Sequence, residues 1–111
     1  MTESNEKENA LLEDVVARIR SIADPDAIVL FGSRARGDAS PQSDLDLLII
    51  QESELPRYRR AVKIRKALNG VVSDKDLIVF TPSEVEEWRT APTSLVATAL
   101  REGRILYEKQ H

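Results

Sequence analysis

Three short apolar runs constrain this chain more than any other feature: residues 27–31 (AIVLF), 44–50 (DLDLLII) and 76–80 (DLIVF). Each is rich in β-branched or large apolar side chains, each is flanked by turn-forming residues, and none is long enough for a stable helix. Such runs become buried strands, so the stretches between them must cover the sheet they build. The first stretch has the required pattern. From Ala10 onward Leu11, Leu12, Val15, Val16, Ile19 and Ile22 recur at helical spacing, while Glu13, Asp14, Arg18 and Arg20 fall elsewhere on the wheel. Asp24-Pro25-Asp26 ends this helix, because proline lacks an amide proton and disfavours helical geometry in the residue before it. Further helices are expected over 55–69, stopped by Gly70, and over 82–88, where Pro82 suits the first turn and Glu84, Glu86 and Glu87 sit near the positive end. A last helix over 93–102 stops at Gly103, followed by a short strand or tail over 105–107. Helices alternating with three strands predict an α/β sandwich with a small sheet.

The chain has 111 residues, with 16 Lys plus Arg against 19 Asp plus Glu, a net charge of −3. One slightly acidic domain is expected over 10–111, preceded by a flexible tail over 1–9, which is polar and lacks periodic apolar positions. There is no cysteine, and the one histidine is His111. That excludes disulfides, thiolate nucleophiles and Cys/His zinc sites, so any chemistry rests on carboxylates, hydroxyls, Lys or Arg. No apolar run approaches the roughly 20 residues of a membrane span, and the Glu-rich start has no signal-peptide character. A soluble, cytoplasmic protein without a membrane partner is expected.

Asp44 and Asp46, one residue apart on an expected strand, project from the same face. Two carboxylates so placed repel unless a cation joins them. Oxygen ligands suit a hard ion such as Mg²⁺, whose shell is usually completed by water and substrate phosphate. Taken alone, an Asp-x-Asp is more often a strand cap beside a solvated side chain than a metal site. Its context points further. Separated from Asp44 by ten residues, and directly after the first strand, stands Gly32-Ser33, where glycine allows close backbone approach and the following amides suit a phosphate. Arg34 and Arg36 share that turn, and Ser33 is expected to cap a short helix ended by Gly37. The Lys-Ser/Thr of a P-loop and the Gly-x-Gly-x-x-Gly pattern are both absent. A third carboxylate on a neighbouring strand would complete a two-metal cage, with Asp76 the better placed and Asp74 the alternative.

The stretch GSRARGDASPQSDLDLLI, with DLIVF as the third-carboxylate strand, resembles the nucleotidyltransferase superfamily of DNA polymerase β, most closely its minimal nucleotidyltransferase (MNT) branch. The resemblance implies the polymerase β-like fold, α/β (α+β) with a small mixed sheet flanked by helices. It implies that Gly32 and Ser33, with Arg34 and Arg36, hold the triphosphate of ATP. Asp44 and Asp46 would bind two Mg²⁺ ions, and Asp76 would ligate one and help activate the acceptor hydroxyl. Short MNT proteins resemble antitoxins encoded with HEPN-domain ribonuclease toxins, in which AMP can be transferred to a partner tyrosine. The alternative is a module of the same fold that neutralises its partner by contact alone.

Weaker signals remain. Arg57, Arg59, Arg60, Lys63, Arg65 and Lys66 form a basic run without an intervening acid. It reads as a solvated face, a contact for an acidic partner, or a contact for nucleotide phosphates. Nucleic-acid binding is disfavoured by the net negative charge and the lack of interleaved aromatics. Val85, Trp88, Leu95, Val96, Ala99 and Leu100 read by default as core-facing positions, with a partner interface the alternative, and Tyr58 and Tyr107 as amphipathic surface residues in preference to modification targets.

Overall fold

A computed structural model describes residues 2–37, 44–71 and 74–110. The three apolar runs form β1 (Ala27–Phe31), β2 (Leu45–Ile50) and β3 (Lys75–Phe80), and the chain closes with β4 (Arg104–Glu108). They make one four-stranded sheet in the order β3-β2-β1-β4. β1 runs antiparallel to both β2 and β4, whereas β2 and β3 are parallel. A parallel pair needs a crossover, which the segment between β2 and β3 provides. The sheet is therefore mixed and small, as the family resemblance implies.

Helices cover both faces. On one side α1 (Thr2–Ile22) and α3 (Val62–Ala67) seal a core of Leu12, Val15, Ile19, Ile64 and Leu68 against Leu45, Leu47, Ile49, Leu77 and Val79. On the other side α4 (Pro82–Trp88) and α5 (Leu95–Glu102) bury Val85, Val96 and Ala99 against Val29, Leu48 and Phe80. Burial on both faces explains why β1 and β2 read as continuous apolar runs instead of alternating ones. Among the described residues no helix is long and apolar enough to cross a membrane.

Several boundaries differ from expectation. The stretch read as a flexible tail is helical from Thr2. Glu, Lys and Ala are strong helix formers, and Glu8 gains a tertiary anchor in Arg34. β2 starts at Leu45, so Asp44 stands just outside the strand; the Leu45 N–H donates to the Asp74 carbonyl at 3.0 Å. The expected 55–69 helix is broken into a 3₁₀ turn, Arg57–Arg59, and the short α3, because Arg60 donates to the Leu55 carbonyl at 2.9 Å and turns toward α4. α5 starts at Leu95, capped by Ser94, whose hydroxyl accepts from the Ala97 N–H at 3.0 Å. Ser33 caps nothing: it is the first residue of α2 (Ser33–Arg36), and Gly32 takes the cap position without a side chain. Val85, Val96 and Ala99 are buried as read, whereas Trp88, Leu95 and Leu100 are exposed.

Candidate active site

β1 delivers the chain to the site. Its last residue, Phe31, lies opposite Asp46 of β2, and the chain then turns at Gly32 with φ +75°. A Cβ at Gly32 would point straight into the Asp46 carboxylate, lying 3.1 Å from its Cγ and overlapping one of its oxygens. Glycine is thus required twice here, for the left-handed backbone and for the close pass over Asp46. The Gly32 carbonyl accepts from the N–H groups of Ala35 (3.1 Å) and Arg36 (3.2 Å), which starts α2 directly above the strand end.

β3 supplies the second carboxylate. Parallel pairing sets Asp46 opposite Asp76, one step from the Leu45–Lys75 pair, so both side chains leave the same face of adjacent strands. This is the face covered further along by Leu48, Phe80 and α4 and α5. Asp74, the alternative third carboxylate, instead precedes the strand and contributes its backbone carbonyl to Leu45. Asp44 is exposed at the entrance to β2.

Electrostatics tie these residues together. Burial pushes the Asp46 carboxyl above the usual carboxylate range, and the negative charges of Asp76 and Asp44 push it the same way. Arg34 and Arg36 oppose that shift. The five charged residues singled out from sequence therefore share one local field. Arg34 is buried, its side chain 3% exposed, and it donates to the Glu8 carboxylate at 2.7 Å. Glu8 escaped sequence reasoning, since it lies in a polar stretch without periodicity and its partner is 26 residues away.

Among the described residues no three acidic side chains converge into a ready ligand shell. Mg²⁺ does not demand one. It is commonly held by one or two carboxylates, water and substrate phosphate, and not by an all-protein cage. An Asp46 raised by burial and by its like-charged neighbours is a site that a cation relieves, so the donor set fits a hard divalent ion. The adjoining glycine turn, with two arginines beside it, has the charge and backbone freedom that a polyphosphate needs.

The family described as Polymerase beta, Nucleotidyltransferase matches residues 13–111. A Methanocaldococcus jannaschii protein, provisionally named a protein adenylyltransferase, is 30% identical over 104 residues, covering 89% of each chain. A chain of a toxin-antitoxin crystal structure with AMP-PNP superposes with a TM-score of 0.60 at 27% identity, over 89% of this chain and 74% of that one. A chain from the complex of a tri-AMPylated Shewanella oneidensis HEPN toxin with MNT antitoxin shares the fold, with a TM-score of 0.57 at 24% identity over 93% of this chain and 74% of that one.

Proposed function

The chain belongs to the polymerase beta nucleotidyltransferase family as an enzyme of its minimal branch, and on that premise we propose that it transfers AMP from ATP to a hydroxyl of a partner protein. The partner is a HEPN-domain toxin, the transfer depends on Mg²⁺, and residues 10–111, joined by Glu8 from the start of α1, act as one catalytic domain. The observation that carries this reading is Asp46, wedged under the Gly32 turn and set opposite Asp76. A contact module has no use for three carboxylates in one field. The likeness to a chain from a toxin-antitoxin assembly solved with AMP-PNP supports both the nucleotide and the class of partner.

In the reaction the acceptor oxygen attacks the α-phosphorus of ATP, a new P–O bond forms, the bond to the β-phosphate oxygen breaks, and pyrophosphate leaves. Amides following Gly32 and the Ser33 hydroxyl hold the β and γ phosphates, a role that needs the close backbone approach glycine allows. Arg34 and Arg36 balance phosphate charge, and Glu8 keeps the Arg34 guanidinium in place. Asp76 takes the proton of the acceptor hydroxyl. Two Mg²⁺ ions, held by Asp44, Asp46 and Asp76, would neutralise charge on the attacking and leaving oxygens.

Incubating the purified chain with ATP, Mg²⁺ and a HEPN-domain protein of the same genome, then measuring intact mass and mapping peptides, tests the proposal. The expected result is AMP on a hydroxyl side chain of the partner. Asp46→Asn should abolish the mass increase and weaken MgATP binding in a titration at fixed Mg²⁺. An unmodified partner bound tightly by the folded chain would replace transfer with neutralisation by contact.

A further inference from the structure

β3 is an edge strand, and along its open side runs a groove of about 400 Å³ lined by Arg57, Tyr58, Val62, Arg65, Lys66 and Leu77. The carbonyls of Asp74 and Phe80 face β2, where they accept from the N–H groups of Leu45 (3.0 Å) and Gln51 (2.9 Å). By alternation the backbone groups of Lys75, Leu77 and Val79 face outward. Two of those carbonyls are taken: Arg65 donates to Lys75 at 3.3 Å and Arg60 to Val79 at 3.2 Å. The arginines blunt the edge against an added strand and present guanidinium groups there instead.

Three of the six cations of the acid-free basic run, Arg57, Arg65 and Lys66, line this groove in a chain of net charge −3. Arg57 and Arg60 tie this wall to α4. Arg60 bonds the Glu84 carboxylate at 2.6 Å, and Arg57 reaches the same carboxylate at 3.4 Å while covering the Phe80 ring at 4.7 Å. Arg59, Lys63 and Lys66 take part in none of the ion pairs among the described residues. Tyr58 is 83% exposed and Val62 48% exposed, so apolar and aromatic surface lies among these charges. Arg with Tyr is the composition of interface anchors. Leu77 at the groove floor directly follows Asp76, whose side chain leaves the opposite face of the same edge strand.

We propose that this groove docks an acidic, extended polypeptide segment of the partner and leads its acceptor hydroxyl around the β3 edge to Asp76. The proposal rests on the reading that the acceptor is a protein. A nucleic acid fits less well, because it would bring a phosphodiester charge with every residue to the Asp76 carboxylate beyond the β3 edge. A peptide can place a neutral hydroxyl side chain there between flanking acids. A single exposed tyrosine also makes a poor stacking platform for successive bases.

The test is fluorescence anisotropy at low ionic strength with a labelled nonapeptide, a central tyrosine flanked by four glutamates on each side. Lys66→Glu and Tyr58→Ala, both at exposed positions, should each weaken peptide binding about tenfold or more while leaving MgATP affinity and melting temperature unchanged. Arg101→Glu on α5, the same charge change away from the groove, should alter it less than about twofold. The glutamine analogue of the peptide should not bind. Equal losses from Lys66→Glu and Arg101→Glu would overturn the proposal in favour of a diffuse charge effect. So would absence of peptide binding, or tighter, Lys66-dependent binding of a ten-nucleotide single-stranded RNA. Anisotropy reads docking without chemistry, so a groove that binds peptide in a chain that transfers no AMP refutes the reaction alone. AMP transfer to a HEPN protein that is insensitive to Lys66→Glu refutes the groove alone.

Discussion

Gly32 carries two separable demands. Its backbone at φ +75° and ψ −158° costs an L-residue about 1–3 kcal/mol, and the space a methyl would need is held by the Asp46 carboxylate. Gly70 offers a control, with φ +84° and no atom within 4 Å of a built Cβ. Gly32→Ala and Gly70→Ala should therefore both lower the melting temperature, yet only Gly32→Ala should displace Asp46 and weaken MgATP binding, by about tenfold or more, since charge-assisted phosphate contacts are worth about 1.5–3 kcal/mol. Calorimetric titration beside thermal melts checks this. Equal nucleotide affinity in the two variants would remove the Gly32 turn from the phosphate site. Gly32 and Asp46 were legible from spacing because short-range geometry places them, a glycine at a strand end and two-residue alternation on a strand, and Asp76 was legible as the acid opening the third apolar run. Glu8 was not, because its role is to meet Arg34 across the fold.

α4 is locked at its first turn by a reciprocal cap. The Thr81 hydroxyl accepts from the Glu84 N–H at 3.3 Å, while the Glu84 carboxylate accepts from the Thr81 N–H at 2.8 Å. The same carboxylate holds Arg60 and Arg57, so one side chain joins α4 to the wall of the β3 groove. The hydrogen bond from Arg60, then that from the Thr81 amide, with Arg57 adding to them, lowers the Glu84 carboxyl from 4.5 to about 2. A carboxyl depressed on folding stabilises the protein above its unfolded value and loses that contribution as pH falls through the folded one. Glu84→Gln should thus cost about 1 kcal/mol at pH 7, a drop of about 4–8 °C in melting temperature for a domain of this size. The figure stays below the full shift because the Glu84 side chain is 21% exposed and partly screened. Wild type and variant should converge between about pH 4.5 and pH 2. A difference that persists unchanged to pH 2 would assign the stabilisation to packing instead of ionisation.

The whole molecule divides its labour across two strands, and that division separates transfer from contact. Asp44 and Asp46 stand at the entrance and start of β2, with Asp46 beneath the glycine turn, whereas Asp76 enters from β3, the open edge of the sheet. If Asp76 serves the acceptor side, Asp76→Asn should fold and bind MgATP nearly as well as wild type while transferring AMP about a thousandfold more slowly, because positioning the acceptor acts in the transition state. In cells carrying the HEPN toxin this variant should fail to protect. Protection by a folded variant with no measurable transfer would make contact the antitoxic mechanism. Normal transfer by Asp76→Asn, with its loss in Asp74→Asn, would move the acceptor role two residues upstream.

Strand positions, the first helix from Ala10 onward, the α4 start and the glycine-to-carboxylate spacing were readable in the chain, because period-2 and period-3.6 patterns and cap chemistry act within a few residues. The parallel register that sets Asp46 opposite Asp76 was not, since pairing depends on where a crossover returns. Nor were the helical start at Thr2, which is anchored 26 residues away at Arg34, and the break of the 55–69 helix, where Arg60 is drawn to Glu84. The exposure of Trp88, Leu95 and Leu100 belongs with these: periodicity says which residues share a helix face, but the tilt of a short helix on its sheet decides how much of that face is covered.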